Sequence, residues 1–406
     1  MSRIVIIGAS HSGITLADLL RKNGYKEEIV ILEQSKEFPF ERPPLSKSFI
    51  SNVNIENHIP NLIRRLDWYK DNNIALKLGI KVEKIQTTEN KIFIDDGKAI
   101  EFSILVIATG ANPNFLPKNI CQSKNALVLR NYEDAKQILK AIKKIGSVQI
   151  VGGGYIGLEL ASSLVKIGCK VSLIEIAERL LSRVASKETS QFFYDLHRNN
   201  GVEIILNSKI IQISEINNKF ITKLDDNSEI ISDKLLLGIG VKPVVDLAKS
   251  ASILCKDGVI VDSFCRTNKK NIYAIGDCCF IEKENALRIE SIHNAHYTAS
   301  KACASILGLK LPEYEAPWFW SDQFDIKFKS VGLLPKNYTT ITKQGKKEGS
   351  KSFWSFEGET FKCIETINDP KSFMVAKQIL QSNSIKLSKE KLVNPEFNLK
   401  SILSAN

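Results

Sequence analysis

Residues 148–159 read VQIVGGGYIGLE, and this stretch decides the fold. An apolar strand ends at Gly152, two further glycines follow, and an apolar-periodic segment then runs to Gly168, as is typical of a helix that ends in glycine. A second apolar strand, KVSLIE, ends at Glu175. In such a unit the glycines allow a tight turn and the close approach of a pyrophosphate to the helix N-terminus. The acid, about 20 residues further on, accepts hydrogen bonds from an adenosine ribose.

The same pattern occurs at the start of the chain. Residues 4–13 read IVIIGASHSG, an apolar-periodic stretch runs on to Gly24, and the strand EIVILE ends at Glu33. Each copy also has a return strand that ends in glycine, ILVIATG at 104–110 and LLLGIG at 235–240. Two units of equal helix length, each with its acid, predict a chain that holds two dinucleotides.

Composition excludes several classes of protein. Of the 406 residues 43% are hydrophobic and 25% are charged, which is the profile of a globular chain. No apolar run reaches the roughly 18 residues of a membrane span. The eight cysteines include no C-x-x-C pair, so we expect reduced thiols, no metal site and a cytoplasmic protein. The net charge of +11 suits an acidic partner, nucleic acid or anionic lipid, and net charge alone does not choose between them.

The last part of the chain has a different pattern. Phe324, Ile326 and Phe328 alternate with charged residues, which predicts a half-buried strand over this segment. SFWSF and TFKCI flank Glu357-Gly358-Glu359 and indicate a hairpin. Asp369 followed by proline predicts the N-cap and first position of a closing helix.

Six motifs occur along the chain in this order: IVIIGASHSG at 4–13, ERPPLSK at 41–47, ATGANP at 108–113, GGGYIGLE at 152–159, IYAIGDC at 272–278 and PWFWSDQ at 317–323. Together they resemble the FAD-dependent, NADH-oxidising ferredoxin reductases of bacterial oxygenase systems, the group that contains putidaredoxin and rubredoxin reductases. The likeness runs from the first residue to about residue 381. The glycine turns and the Gly-Asp pair belong to the whole two-dinucleotide flavoprotein superfamily, whereas the second and last motifs belong to this branch.

The resemblance implies an α/β fold with two Rossmann-like dinucleotide-binding domains, as in glutathione reductase, and a small α+β C-terminal domain. It implies a discontinuous FAD domain, residues 1–112 and 240–322, which is interrupted by an NADH domain at 113–239. The α+β domain then covers residues 323–406.

The resemblance also implies which residues bind FAD. Glu33 and the first glycine turn hold the ADP half, Asp277 bonds the ribityl chain, and His293 contacts the pyrimidine edge of the flavin. The full implied set is Gly8, Ser10, Gly13, Glu33, Arg42, Lys47, Val82, Ala108, Thr109, Gly110, Arg130, Gly276, Asp277, His293 and Trp320.

The second unit is implied to bind NADH. Its acid, Glu175, repels a 2′-phosphate, so NADH is preferred over NADPH. Arg179 and Arg183 lie nearby in sequence and could soften that preference. The implied NADH residues are Gly152, Gly154, Tyr155, Ile156, Gly157, Glu159, Glu175, Ile239 and Gly240.

Three residues are candidates for catalysis. By the resemblance, Glu159 lies near the nicotinamide and pairs with Lys47 beside the flavin, and Trp320 contacts the flavin edge. From the residues alone, Lys47 is also compatible with a solvated loop lysine, Glu159 with a solvent-facing helix residue and Trp320 with a core aromatic.

The chain departs from the family pattern at a few positions. Ser10 stands at a glycine position, His293 and Thr298 at glutamine positions, Asn112 at an arginine position, and Val244 within a usual GIGVxPN run. These departures bear on cofactor affinity and leave the class unchanged.

The implied activity is that of an NAD(P)H:ferredoxin oxidoreductase of the EC 1.18.1 type. A hydride passes from NADH to FAD, and single electrons then pass to an acidic [2Fe–2S] ferredoxin that serves a P450 or Rieske oxygenase. The protein is expected to be a monomer or a homodimer.

Two groups of alternatives remain. One is a flavoenzyme of the same fold with another acceptor, such as an NADH oxidase, a rubredoxin reductase or a monodehydroascorbate reductase-like protein. The other is a nucleic-acid-binding flavoprotein like apoptosis-inducing factor, which the dispersed lysines disfavour. A thiol relay is also disfavoured, because no cysteine precedes Cys121.

Overall fold

The computed structural model describes residues 2–52, 61–142, 146–282, 288–382, 384–394, 399 and 401–404. It divides into two compact units, which are described separately. Unit 1 comprises Met1–Glu41, Pro60–Asn112 and Val241–Glu315, and unit 2 comprises Arg42–Ile59, Pro113–Gly240 and Ala316–Asn406.

The strands alternate with helices in the dinucleotide-binding halves and follow one another directly in the C-terminal part. In chain order they are β1 (Arg3–Ile7), β2 (Glu28–Glu33), β3 (Ile74–Leu78), β4 (Val82–Gln86), β5 (Lys91–Ile94), β6 (Ala99–Glu101), β7 (Ile104–Ile107), β8 (Ala111–Pro113), β9 (Ser147–Val151), β10 (Lys170–Ile174), β11 (Glu203–Ile205), β12 (Ile210–Ile216), β13 (Lys219–Leu224), β14 (Glu229–Ser232), β15 (Lys234–Leu237), β16 (Val241–Pro243), β17 (Cys255–Lys256), β18 (Gly258–Val261), β19 (Ile272–Ala274), β20 (Cys279–Ile281), β21 (Trp318–Gln323), β22 (Ile326–Gly332), β23 (Thr339–Gln344), β24 (Lys351–Glu357) and β25 (Thr360–Ile367).

The helices of the described residues are α1 (His11–Lys22), α2 (Leu66–Asp71), α3 (Tyr132–Ala141), α4 (Tyr155–Lys166), α5 (Lys187–Asn199), α6 (Asp246–Ser250), α7 (Ile292–Leu307), α8 (Pro370–Gln381), α9 (Lys389–Val393) and α10 (Ser401–Ser404). Two shorter helical turns lie at Leu45–Phe49 and Gly276–Cys278. The first of these turns is interrupted at Lys47, whose φ of −116° and ψ of −107° are not helical. None of the helices in the described ranges is long and apolar enough to cross a bilayer.

Unit 1 is built on a parallel sheet of order β19-β7-β1-β2-β3. Its central strand, β1, is apolar on both faces, as expected for a strand covered on each side. One face packs with α1 and α7 around Ile14 and Leu20, and the other packs with the sheets β4-β5-β6 and β17-β18-β20 around Leu105 and Val259. The carboxyl ends of β1 and β2 therefore carry the first glycine turn and Glu33.

Unit 2 repeats this arrangement with the parallel sheet β11-β10-β9-β15. An antiparallel sheet, β12-β13-β14, packs beside it through Phe220 and Leu235. A five-stranded antiparallel sheet of order β21-β22-β25-β24-β23 forms the C-terminal part, and α8 packs on it around Trp354 and Phe373. The mixed α/β class predicted from the sequence is confirmed by this architecture.

The C-terminal predictions are confirmed except at one position. The hairpin forms between β24 and β25, and Asp369 caps α8 by accepting a hydrogen bond from the Ser372 N–H at 3.1 Å. The prediction of a strand through Phe324 was wrong. Phe324 has a φ of +51° and lies in the turn between β21 and β22. The alternation of hydrophobic and charged residues does not reveal the turn, because the period of two continues from Phe324 into β22.

Candidate active site

The two glycine turns have nearly the same backbone geometry. Gly8 has a φ of +113° and Gly152 a φ of +109°, a region that side chains rarely adopt. A Cβ at Gly8 would lie 2.3 Å from the Ala108 carbonyl oxygen, and one at Gly152 would lie 2.4 Å from that of Gly238. Each turn can therefore approach its return strand only with glycine at this position.

The serine at the middle position of the first turn is compatible with its backbone. Ser10 has a φ of −111° and a ψ of −164°, which is extended backbone open to any residue. The corresponding Gly154 has a φ of −80° and a ψ of 177°. Neither position requires glycine for its conformation, so Ser10 adds a Cβ and a hydroxyl without strain.

The acids at the ends of the second strands are held in equivalent ways. Glu33 accepts hydrogen bonds from the N–H groups of Ala9 at 2.8 Å and Ser35 at 2.9 Å. Glu175 accepts from those of Gly153 at 2.6 Å and Ala177 at 2.8 Å. Each carboxylate is thus fixed beside its glycine turn, where a ribose hydroxyl can bind it.

The helices that follow the turns differ from the other long helices at their N-termini. Helices α3, α5, α7 and α8 are each capped by a side chain of Asn, Ser or Asp that accepts from the first turn. Among the described residues, no side chain of the N-cap position caps α1 or α4. Neither helix has an acidic residue in its first turn. These two N-termini therefore keep backbone N–H groups and a positive dipole end available for an anion.

Of the remaining predicted FAD residues of unit 1, Ala108 to Gly110 follow β7, Gly276 and Asp277 follow β19, Val82 begins β4 and His293 lies in the first turn of α7. Thr109 donates its hydroxyl to the Val244 carbonyl oxygen at 2.8 Å. His293 is 7% exposed, and its Nε2 lies 2.9 Å from Glu315 Oε2. Unit 1 holds Gly8, Ser10, Gly13, Glu33, Val82, Ala108, Thr109, Gly110, Gly276, Asp277 and His293, whereas Arg42, Lys47, Arg130 and Trp320 belong to unit 2.

Two residues that the sequence analysis had not assigned support the Gly276–Cys278 turn. Arg288 donates from Nη1 to the Asp277 carbonyl oxygen at 2.8 Å. Thr298, one of the departures from the family pattern, accepts from the Gly276 N–H at 3.0 Å and donates to the Asn294 carbonyl oxygen at 2.7 Å. Thr298 therefore has a structural role of its own at the glutamine position.

A buried ion pair forms the most distinctive cluster of unit 2. Lys47 Nζ lies 2.8 Å from Glu159 Oε2, and the Glu159 side chain is 2% exposed. The ammonium group also donates to the Pro43 carbonyl oxygen at 3.2 Å. Burial of a carboxylate is costly unless it is paired and hydrogen-bonded, so Glu159 is not the solvent-facing residue that a helix position would suggest.

Two serines complete the hydrogen bonding of Glu159. Ser46 donates its hydroxyl to Oε2, and Ser321 donates to Oε1 at 2.5 Å. Both serines lie inside motifs quoted above, ERPPLSK and PWFWSDQ, but their contact with Glu159 joins segments far apart in sequence. The turn itself is fixed to α4 by Ser163, whose hydroxyl donates to the Ser46 carbonyl oxygen at 2.7 Å.

Aromatic rings surround this cluster. Tyr155, the first residue of α4, packs its ring 4.5 Å from that of Phe319 and 5.6 Å from that of Phe328. Burial, with Glu365, Cys363 and Glu159 nearby, raises the pKa of the Tyr155 hydroxyl, so the phenol stays neutral. The Trp320 ring is tilted by 33° to the ring of Trp318, whose centroid is 5.5 Å away.

The other predicted NADH residues lie around α4 and the end of β15. Ile156 is 45% exposed at the first turn of α4. Asn114 links to the strand end by donating to the Ile239 carbonyl oxygen at 3.2 Å and to that of Gly240 at 2.9 Å. Arg179 is not available to a phosphate, because its guanidinium donates to Ser182, Ala185, Ser186 and Ser190.

Comparison with known proteins agrees with this geometry. Residues 2–299 match the pyridine nucleotide-disulphide oxidoreductase family, and residues 318–403 match the reductase C-terminal family. The fold and the paired dinucleotide turns thus define an oxidoreductase of this flavoprotein class.

Similar proteins narrow the class further. A ferredoxin–NAD(P)+ reductase from Sphingomonas is 30% identical over 99% of this chain and 97% of its own length. A rubredoxin–NAD+ reductase from Pseudomonas putida is 33% identical over 91% of this chain and 96% of its own. The solved structure of a covalent putidaredoxin reductase–putidaredoxin complex matches with a TM-score of 0.93, 30% identity and coverage of 100% and 98%. The chain belongs to this ferredoxin reductase family, as its motifs had predicted.

Proposed function

We propose that this protein is an FAD-dependent reductase that oxidises NADH and passes the electrons singly to a [2Fe–2S] ferredoxin serving an oxygenase. The observation that carries the proposal is the buried Lys47–Glu159 pair, 2.8 Å apart, which the ERPPLSK, GGGYIGLE and PWFWSDQ segments build together. When bound, FAD supplies the ability to accept two electrons together and release them one at a time.

The first glycine turn fits an FAD pyrophosphate. The N-terminus of α1 is free of a side-chain cap from Ser10, and Glu33 is anchored beside it to receive a ribose. The glycine turn, Thr109 with Gly110, and the Gly276–Cys278 turn with Asp277 would hold the cofactor along unit 1. Arg42, Lys47, Arg130, His293 and Trp320 are its further proposed contacts.

The second turn fits NADH. The N-terminus of α4 would receive the pyrophosphate, and Glu175 would accept from the adenosine ribose. Both Nη atoms of Arg179 donate to groups within unit 2, so this guanidinium is not directed to a 2′-phosphate. NADH is therefore the expected donor in preference to NADPH.

The Lys47–Glu159 pair acts through position and charge. Ser46, Ser321 and Lys47 donate to the Glu159 carboxylate and hold it in one orientation. The carboxylate in turn holds the Lys47 ammonium at one place. The pair thereby presents a fixed positive charge, opposed by a buried negative one, to the reacting nicotinamide and flavin.

The ferredoxin is recognised by charge. The chain carries a net +11, and [2Fe–2S] ferredoxins are typically acidic, so complementary fields raise the rate of encounter. We place the reaction in the cytoplasm, where the eight free cysteines of the structure would remain reduced.

The test begins with the visible spectrum of the purified protein. NADH-dependent cytochrome c reduction is then measured with no carrier, with a [2Fe–2S] ferredoxin and with a rubredoxin. A flavin band and strong stimulation by ferredoxin support the proposal. Stimulation by rubredoxin alone would favour the second candidate, a rubredoxin reductase, which the 33% identity to such an enzyme supports. NADH oxidation without stimulation by either carrier would indicate an oxidase.

A further inference from the structure

A chain of buried side chains leads away from Glu159 within unit 2. Ser321 Oγ lies 2.5 Å from Glu159 Oε1, Gln323 Nε2 lies 3.1 Å from Ser321 Oγ, and His197 Nε2 lies 2.8 Å from Gln323 Oε1. Exposure is 2% for Glu159, 0% for Ser321, 1% for Gln323 and 0% for His197. Helix α4, strand β21 and helix α5 thus share one hydrogen-bonded chain.

The hydrogen bonds that link His197 to Glu159 all have the same donor-to-acceptor direction. Because Gln323 donates its amide to Ser321, its carbonyl oxygen faces His197, and the Nε2 of His197 must carry the proton. Burial lowers the pKa of His197 to about 4, so the ring is neutral and its Nδ1 has no proton. Among the described residues this Nδ1 has no hydrogen-bond partner, and the ring packs edge-on to Phe324. Every donor in the chain therefore points toward Glu159.

The opposite direction would deprive Glu159 of a donor. If His197 carried its proton on Nδ1, the Gln323 amide would turn to donate to Nε2, and its carbonyl oxygen would accept from Ser321. The Ser321 hydroxyl would then no longer serve Glu159. The tautomer of His197, three hydrogen bonds away, thus decides whether Oε1 of Glu159 is bonded.

We propose that His197 and Gln323 are positioning residues for the Lys47–Glu159 pair, because they fix the Ser321 hydroxyl as a donor to Glu159. The proposal rests on the role proposed above for this pair in NADH oxidation. Lys47, from the 45–49 turn, and Tyr155, one helical turn earlier on α4, are the titratable groups beside Glu159. Neither side chain belongs to the hydrogen-bonded chain from Glu159 to His197, and neither is altered by the variants below.

Loss of the Ser321 donor is expected to change the acid limb of the pH profile, which is the fall of the NADH-dependent reduction rate at low pH. A carboxylate with one donor fewer takes up a proton more readily, and a protonated Glu159 no longer holds Lys47. In Ser321→Ala, which removes this donor, the NADH-dependent reduction rate should fall off about one pH unit higher than in the parent protein. Gln323→Met keeps the length of the side chain but removes its polar atoms, so the Ser321 hydroxyl remains but is no longer oriented by the amide, and the shift should have the same direction and a smaller size.

The variants also test the route. If Gln323 acts on Glu159 only through Ser321, then the double variant Ser321→Ala with Gln323→Met should shift the acid limb no further than Ser321→Ala alone. His197→Gln offers an N–H near the place of Nε2, so this variant should keep most of the parent's pH profile. Gln191→Met, an exposed change of the same type on α5, serves as the control.

Two measurements decide the proposal. Stopped-flow measurement of flavin reduction by NADH between pH 5 and 9 gives the acid limb of the rate. ¹⁵N-histidine NMR gives the tautomer of the His197 imidazole, whose signals are assigned by their absence from the His197→Gln spectrum. We expect the neutral Nε2–H tautomer in the parent and in Gln191→Met, and a mixture of tautomers in Gln323→Met.

An unmoved acid limb in both Gln323→Met and Ser321→Ala would overturn the proposal, as would an Nδ1–H tautomer in the parent. Additive shifts in the double variant would overturn the route through Ser321. Failure of the parent protein to react with NADH would instead contradict the proposed function, while the NMR measurement would still test the direction of the chain. If Gln323→Met does not fold, Ser321→Ala and His197→Gln carry the same test.

Discussion

The Oε2 atom of Glu175 lies 2.6 Å from the N–H of Gly153, so the ribose-binding acid is fastened to the glycine turn it serves. Glu33 has the same relation to Ala9 at 2.8 Å. The acid thus braces the turn as well as presenting an oxygen to a ribose. Its removal has two consequences, a loosened turn and a lost ribose contact.

The first prediction concerns donor preference. Glu175→Ala should lower kcat/KM for NADH about 10- to 100-fold, because a charge-assisted hydrogen bond to the ribose is lost. NADPH should remain a poor donor, since Arg179 is bound to Ser190 and to backbone carbonyl groups of unit 2. Steady-state kinetics with both nucleotides measures this. A variant that prefers NADPH would contradict the assignment of Arg179 as unavailable.

The second prediction concerns the turn glycines. Gly8→Ala should abolish flavin binding or folding, because a Cβ there would lie 2.3 Å from the Ala108 carbonyl oxygen at a φ of +113°. Ser10→Ala is the matched change two residues on, where the backbone is extended. It should leave the flavin content within about twofold of the parent. Flavin stoichiometry from the visible spectrum of each purified variant compares the two, and equal losses would be against the argument from backbone geometry.

The third prediction concerns the ion pair. Glu159→Gln leaves the Lys47 ammonium without its anion, and loss of one partner of a buried pair costs roughly 3–5 kcal/mol. Lys47 is 17% exposed, so we expect the lower end of that range. The melting temperature should fall, and reduction by NADH should slow about 100-fold.

The double variant of Lys47→Met with Glu159→Gln separates stability from activity. It should recover much of the melting temperature, because no unpaired charge remains, yet it should stay slow. Calorimetry and stopped-flow kinetics provide the two readouts. Recovery of the rate together with stability would mean that the pair is structural only.

The fourth prediction concerns pH and stability. Burial raises the pKa of Glu365 to about 7, although Ser186 and Thr189 donate hydrogen bonds to its carboxylate, and Glu188 adds to the rise. The unfolded chain binds this proton only below about pH 4.5. Between these values the folded state holds more protons, so stability falls as pH rises from about 4.5 to 7.

Glu365→Gln removes that dependence. The variant should gain stability relative to the parent as the pH is raised from 5 to 8, with a limit of roughly 3 kcal/mol. His197 acts in the opposite sense, because its lowered pKa of about 4 makes stability fall as pH drops below about 6.5. His197 is present in both the parent and the variant, so comparing the two at each pH cancels its contribution to the pH dependence of stability. Melting curves of the parent, of Glu365→Gln and of the exposed control Glu229→Gln measure this. A stability difference between Glu365→Gln and the parent that stays constant across the pH range would refute the burial argument.

The fifth prediction concerns the partner. Turnover with ferredoxin should fall steeply as ionic strength rises from about 20 to 500 mM, because the +11 charge attracts an acidic carrier through a screened field. NADH-dependent reduction of the flavin alone should change little over the same range. Salt-independent turnover would remove charge as the basis of recognition.

The sequence predicts the fold well because its decisive signals are local. A glycine turn, a helix and an acid about 20 residues on lie within one continuous segment, and the structure forms both copies of this unit. Asp369 and its proline likewise define a helix start within two residues. Phe324 shows the limit of such patterns, since an alternating pattern does not reveal where one strand ends and the next begins.

The surroundings of Glu159 were beyond the sequence for a physical reason. Its partners Ser46, Lys47 and Ser321 lie more than 100 residues away in either direction. A buried glutamate on an apolar helix signals that donors exist somewhere, but not where. The pairing with Lys47 came from the resemblance. The serines and the chain to His197 became visible only once the tertiary structure brought α4, α5 and β21 together.

The dispersed origin of these partners also dictates when the cluster can be completed during biosynthesis. The chain leaves the ribosome N-terminus first, so the turn with Ser46 and helix α4 emerge long before Ser321. A nascent chain that ends after residue 299 has both glycine turns but still lacks one donor to Glu159. The full set of hydrogen bonds to Glu159 therefore forms late, when nearly four-fifths of the polypeptide has been made.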